Sequence, residues 1–202
     1  MMRTIKNATH FFEALLANII YGFPGKKLRI IGVTGTDGKT TTVTLIYAIL
    51  RGAGLKAAMI TTVEAEISGL NYDVKFHGTT PSAFVIQKFL YDAVRGGATH
   101  AVLEVSSHGL DQFRVWGVPF EIGVLTNISH EHFDYHKTMT RYTEAKLKLF
   151  KQAKIAVLNL DDEVCAVFME KLQGKTVKSY SLRNNAADYT PEKFPFKTKL
   201  FG

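Results

Sequence analysis

The chain reads as an α/β protein: a mostly parallel sheet flanked by helices in three layers, with a small β-hairpin insertion. Three observations predict this. Short apolar runs at 28–33, 56–63, 100–105, 122–127 and 155–160 are nearly continuous, which suits strands buried on both faces. Segments with helical apolar spacing alternate with them, and such alternation implies a parallel sheet with right-handed crossovers. A glycine-bearing turn at 34–38 joins the first of these strands to a helix. The 202 residues suffice for one α/β domain, and 46% hydrophobic with 21% charged residues is an ordinary globular composition.

In chain order, residues 1–27 read as an amphipathic helical extension that leans on the domain through Phe11, Phe12, Leu15, Leu16 and Ile19. Asn7, His10, Glu13 and Asn18 interrupt its apolar stretch, no small-residue cleavage site follows, and nothing approaches the length of a membrane span. No membrane insertion is expected. The domain proper is 28–202. Its first strand carries Leu28, Ile30, Ile31 and Val33, and 41–50 has the spacing of a buried helix that ends at Arg51-Gly52-Ala53-Gly54. A strand follows at 56–63, and alternation over 64–76 around Gly69-Leu70-Asn71 predicts a hairpin. Pro81 marks the first turn of a helix that Gly96-Gly97 stops after Arg95. The strand at 100–105 ends in a carboxylate, Glu104, and 122–127 leads into a polar run at 129–136. A helix at 138–152, a strand at 155–160, a helix at 162–172 and a strand at 177–181 complete the pattern. From Leu182 the chain is turn-rich and offers at most an incomplete hairpin.

A net charge of +7 is spread without any block of like charge, so it gives no ground for a nucleic-acid partner; anionic nucleotides and sugar phosphates account for it equally well. The lone Cys165 excludes an internal disulfide and suits a reducing cytoplasm.

The chemistry concentrates in Thr34-Gly35-Thr36-Asp37-Gly38-Lys39-Thr40-Thr41. Gly35 and Gly38 let backbone N–H groups turn inward, and the helix that starts at Lys39 favours anions at its N-terminus. In such a P-loop, Lys39 reaches the outer phosphates and Thr40 holds Mg²⁺. The general pattern asks for glycine where this chain has Val33. Glu104, at the end of a buried strand, stands where P-loop proteins keep a second magnesium-binding carboxylate; it is alternatively a cap for the next turn. His130, Glu131, His132, Asp134 and His136 form either a metal-binding cluster or a solvated loop, and spacing does not choose among the histidines. Met139, Tyr142, Lys146 and Leu149 share one helix face, which sets Lys146 on an apolar stripe. Either its ammonium snorkels to the helix edge or it is held beside metal and phosphate.

Together TGTDGKTT, HGTTPSA, EVSSHGLDQFRVWG, TNISHEHFDYHKTMTRYTEAKLKLF and VLNLDDE resemble the central ATPase domain of the Mur ligase family, and within it the branch that adds the third residue to UDP-N-acetylmuramoyl-dipeptide. The resemblance runs from Ile30 to about Asp162. It implies ATP and Mg²⁺ as cofactors, with Gly35, Thr36, Asp37, Gly38, Lys39, Thr40 and Thr41 around the nucleotide. It implies Thr40, Glu104, His132 and Lys146 at the metals, Lys146 as a carbamate, and Lys39, Lys146 and His132 as catalytic. It also implies that Thr79, Thr80, Ser106, Gln112 and Arg114 hold the UDP-muramoyl-peptide to which an amino acid is joined. Asp37 for the family's Asn and Glu131 for its Asp are mild departures. Family members carry flanking domains on both sides, so the implied reading is a partial amide ligase of peptidoglycan precursor synthesis. Two others stand beside it: a nucleotide-binding module that works with a partner chain, and a folylpolyglutamate-synthase-like ligase, which HGTTPSA and EVSSHGL disfavour.

Overall fold

The computed structural model describes residues 2–73, 80–129 and 138–191, with side chains from residue 7 onward. The polar run at 130–137 and the segments 74–79 and 192–202 lie outside the described residues.

Among the described residues, eight strands form one sheet. Five are internal to the α/β pattern: β1 (Arg29–Thr34), β2 (Ala57–Ile60), β5 (His100–Glu104), β6 (Phe120–Leu125) and β7 (Ile155–Asn159). β3 (Glu64–Ile67) and β4 (Leu70–Asp73) are the hairpin, and β8 (Thr176–Tyr180) is the far edge. The spatial order is β4-β3-β2-β5-β1-β6-β7-β8. All pairings from β2 to β8 are parallel, and the hairpin joins antiparallel through β2. β1 lies at the centre, between β5 and β6. Whatever follows its last residue therefore emerges at mid-sheet, where ligands gather in open α/β folds.

The sequence spacing explains the layers. In β1, Ile31 and Val33 point to one face, where they pack with Val43, Tyr47, Met59 and Val102 beneath α2 (Lys39–Gly52). Ile30 points to the other face, into the larger core beneath α3 (Ala83–Arg95), α5 (Met139–Gln152) and α6 (Cys165–Lys171). α4 (Ser107–Asp111) is a single short helix after β5. Gly32 is demanded on that second face, because a Cβ there would stand 2.7 Å from the Phe120 ring and 2.8 Å from Leu149.

The strand and helix expectations hold, with boundaries displaced by a few residues. The hairpin turn is Ser68-Gly69, one residue earlier than the Gly69-Leu70-Asn71 centre the alternation suggested. Both residues have positive φ, 55° and 81°, the backbone a two-residue hairpin turn needs to match strand twist.

The face that α1 (Met2–Tyr21) presents to the domain differs from the expected one. Ala14, Ala17 and Asn18 are fully buried and Phe11 is half-buried, whereas Phe12, Leu16 and Ile19 point to solvent. Small residues win because α1 packs closely on α3, with Ala14 and Ala17 against Ala83. Asn18 Nδ2 donates to Trp116 O at 2.9 Å, which bonds the helix to the loop before β6. Phe11 stacks edge-on against Trp116, with centroids 5.0 Å apart. Hydrophobicity alone ranks large side chains inward; the available gap decided otherwise.

Candidate functional site

The loop 35–38 leaves the end of β1 and enters α2 at Lys39. Its two glycines serve different needs. Gly38 has φ 72° with open space around it, so it is required by backbone conformation. Gly35 is required by proximity: a Cβ there would lie 1.7 Å from Thr126 Oγ1 and 3.1 Å from Asn127 N.

That proximity reveals what holds the loop. Thr126 and Asn127 follow β6 directly. Thr126 Oγ1 donates to Asp37 O at 2.7 Å, Asn127 Oδ1 accepts from Asp37 N at 2.9 Å, and Thr36 N donates to Asn127 O at 2.8 Å. The Thr36 hydroxyl, buried, lies 3.1 Å from Tyr142 OH and accepts from Ser129 N at 2.9 Å. It anchors the loop from below. Asn159 Nδ2 donates to Thr126 O at 2.8 Å, and Asp162 accepts from Ile128 N at 2.6 Å and from Val164 N at 2.9 Å. Tyr180 OH donates to Leu125 O at 3.0 Å, and burial pushes this phenol's pKa up. The VLNLDDE motif thus braces the TNIS motif, which braces the glycine loop.

Lys39 Nζ donates to Thr36 O at 2.6 Å, folded over its own loop. Thr40 Oγ1 donates to Glu104 Oε2 at 2.8 Å, and the same carboxylate oxygen accepts from Thr62 N at 3.3 Å and Thr62 Oγ1 at 3.4 Å. Two hard oxygen ligands from separate elements therefore meet at the first turn of α2, a donor set that suits a divalent cation such as Mg²⁺. Thr41 is exposed. Lys146 is 1% exposed and does not snorkel: its Nζ donates to Gly35 O at 2.5 Å and stands 4.4 Å from the centroid of the Tyr142 ring. The amine is delivered to the inner side of the loop. His132 lies outside the described residues, so of the four residues expected at the metals only Thr40, Glu104 and Lys146 are described: Thr40 meets Glu104, and Lys146 meets the Gly35 carbonyl.

A second group forms beside the first. Glu104 and Ser106 belong to the same strand end, and the chain sends them to different neighbours. Ser106 Oγ lies 2.9 Å from Thr80 Oγ1 and accepts from Gly109 N at 3.1 Å, which caps α4; Ser106 N donates back to Thr80 Oγ1 at 2.8 Å. Gly109 makes room for Thr80, since a Cβ would stand 2.7 Å from it. Arg114 Nη1 donates to Thr80 O, and its Nε and Nη2 donate to Gln112 Oε1 at 3.0 and 2.7 Å. Between them Phe113 takes φ 56°, a strained backbone that turns Gln112 and Arg114 to one side. Thr80, Ser106, Gln112 and Arg114 are thus one cluster, and Thr79 lies outside the described residues.

Thr62, Thr126, Asn127 and Tyr142 were not singled out from the sequence as site residues. The signal available for Thr126 and Asn127 was two polar residues straight after a doubly buried strand; nothing marked Thr62.

The Mur ligase middle domain family matches residues 33–200. The chain belongs to this family. Among its relatives, a UDP-N-acetylmuramoyl-L-alanyl-D-glutamate--2,6-diaminopimelate ligase of Cytophaga hutchinsonii is 42% identical over 172 residues, 83% of this chain and 35% of that protein. UDP-N-acetylmuramyl-tripeptide synthetase 2 of Oceanobacillus iheyensis is 38% identical over 94% of this chain and 43% of its own length. A solved structure of a UDP-N-acetylmuramoyl-L-alanyl-D-glutamate--2,6-diaminopimelate ligase superimposes with TM-score 0.74 at 40% identity, covering 81% of this chain and 34% of that one. MurF from Acinetobacter baumannii shares the fold at 16% identity with TM-score 0.66. This Mur ligase domain spans about a third of the first of these relatives and under half of the second.

Proposed function

We propose that this chain is the ATP-binding core of an amide ligase that extends UDP-N-acetylmuramoyl-peptide by one amino acid, with residues 28–202 as the central domain and 1–27 as its helical extension. One observation carries the reading. The end of β5 presents Glu104 to the Thr40 hydroxyl of the glycine loop and, two residues on, Ser106 to the Thr80 cluster, so the two groups stand side by side along one stretch of chain at mid-sheet. The names of its relatives support the same chemistry.

Bound ATP would supply the γ-phosphoryl group that turns a substrate carboxylate into an acyl phosphate with ADP as leaving group; an incoming amine would then attack the acyl carbon, form the amide and expel inorganic phosphate. Bound Mg²⁺ would neutralise charge on the transferring phosphoryl group. The chain's own residues do the positioning. The amides of 35–38 and the N-terminus of α2 face anionic oxygens, and Lys39 exchanges its bond to Thr36 O for a phosphate. Thr40 and Glu104 hold the metal. Lys146, deprotonated and joined to CO2 as a carbamate with release of a further proton, would change from an inward cation into an anion at the same loop. Thr80, Ser106, Gln112 and Arg114 orient the muramoyl-peptide, Arg114 through its fixed fork of donors. Orientation of this kind is worth roughly 7–11 kcal/mol of a barrier.

Calorimetry of Mg-ATP with the purified chain tests the core of the reading. Saturable binding that Lys39→Ala removes is the expected result; a folded wild-type chain that takes up no nucleotide refutes it. Because the chain spans so little of its relatives, a second reading is a module that turns over only with a partner supplying the other domains. Ligation that appears on adding such domains separates it from a module that only binds.

A further inference from the structure

We infer that the outward face of α1 and the cavity at its C-terminal end form a peripheral docking surface for anionic phospholipid membranes. Phe12, Leu16, Ile19 and Ile20 are 65, 51, 57 and 59% exposed. Their spacing places them on one side of the helix, opposite Ala14, Ala17 and Asn18, which pack on the domain. Ala8 and Thr9 extend that exposed side. A solvent-facing helix side of this kind ordinarily carries charge; here the one acidic residue of α1, Glu13, sits half-buried beside His10 at 3.7 Å. Four large apolar side chains left in water on two turns mark a contact surface.

The stripe runs into a cavity of about 500 Å³ lined by Ile19, Ile20, Tyr91, Val94, Lys27 and Arg95. Its walls are apolar and aromatic, and its mouth carries cations. Lys27 and Arg95 are exposed, and neither pairs with a described carboxylate; Arg95 lies over the Tyr91 ring at 5.9 Å. Lys26, next to Lys27 in sequence, is exposed and lies over the Phe23 ring at 4.7 Å. Apolar residues flanked by unpaired Lys and Arg, with tyrosines at the boundary, are the composition that lies in a lipid headgroup layer. The charge argues for an anionic surface over a second copy of the chain. A second copy seated face to face would set the same cations against each other, whereas acidic lipids attract each of them. The helix lies on the membrane and does not cross it: among the described residues no helix is long and apolar enough to span one.

Co-sedimentation of the whole chain with vesicles tests this, using equal parts phosphatidylglycerol and phosphatidylcholine against phosphatidylcholine alone. The expected result is pelleting with the anionic vesicles only, weakened by added salt. The triple substitution Phe12→Ser, Leu16→Ser, Ile20→Ser abolishes it, and Lys27→Gln with Arg95→Gln weakens it about 30-fold, about fivefold per cation. Thermal midpoints near wild type check that both variants fold. Equal pelleting with both vesicle types, or pelleting untouched by both variants, overturns the inference. So does sedimentation velocity showing a dimer that the triple substitution dissolves while wild type ignores vesicles, which would assign the face to a second copy.

Discussion

The two polar groups at the end of the sheet are built on different plans. Around the glycine loop, the groups that fix the backbone are Thr126, Asn127, Ser129 and Tyr142, none of which is assigned to a ligand; they leave the Lys39 ammonium and the Thr40 hydroxyl with one bond each that a phosphate or metal can replace, while Glu104 is held by Thr40 and Thr62. In the neighbouring cluster the side chains hold one another: Thr80 with Ser106, Arg114 with Gln112 and Thr80. The first is pre-formed and waiting. The second must exchange internal bonds for ligand bonds, so its affinity is set by that difference.

The largest expected effect breaks the first plan at its charge. Lys39→Ala removes a charge-assisted contact of about 3 kcal/mol, so Mg-ATP affinity by calorimetry falls about 100-fold while the fold persists. Next, Gly35→Ala drives a Cβ into Thr126 Oγ1, which is already committed to Asp37 O. A cost of about 2 kcal/mol lowers the thermal midpoint by about 4–8 °C, and nucleotide binding falls with it. A double-mutant cycle with Thr126→Ala reports coupling between the two sites if the clash is the cause. Ser106→Ala probes the second plan: it strips the cap from α4 and the partner from Thr80 for about 1 kcal/mol, or about 2–4 °C, with Mg-ATP affinity unchanged. Loss of nucleotide affinity in that variant would show that the two groups are one.

The smallest effect lies outside both. Lys178 and the Ser179 amide and hydroxyl lower the Asp188 pKa from 3.8 to about 2. A carboxylate depressed in the folded state stabilises above its unfolded pKa and loses that contribution as pH falls through the folded value. Between pH 4 and 2, NMR amide signals of Ser179 and Tyr189 should shift as the bridge between β8 and residue 189 loosens, with the loop 35–38 unaffected. Simultaneous change at both places would mean global unfolding.

Much of this was open to reading along the chain. Periodicity marked the strands because a doubly buried strand must be apolar at nearly every position, and the glycine loop announced itself because a backbone that turns its N–H groups inward needs Gly38. The meeting of Thr40 with Glu104 was expected from motif order. The role of Gly35 was not legible as proximity, since the residue it must clear, Thr126, is far along the chain, and the hairpin centre slipped by one residue because Ser68 tolerates positive φ.

The local pattern by itself therefore determined the element types, their order and which side chains could do phosphate chemistry, because those follow from nearest-neighbour sterics and side-chain chemistry. Only the tertiary structure decided how far Lys146 is buried, which residues fasten the loop, and which face of α1 is left in water. Those depend on how distant elements pack, and α1 meets α3 through Ala14 and Ala17 against Ala83.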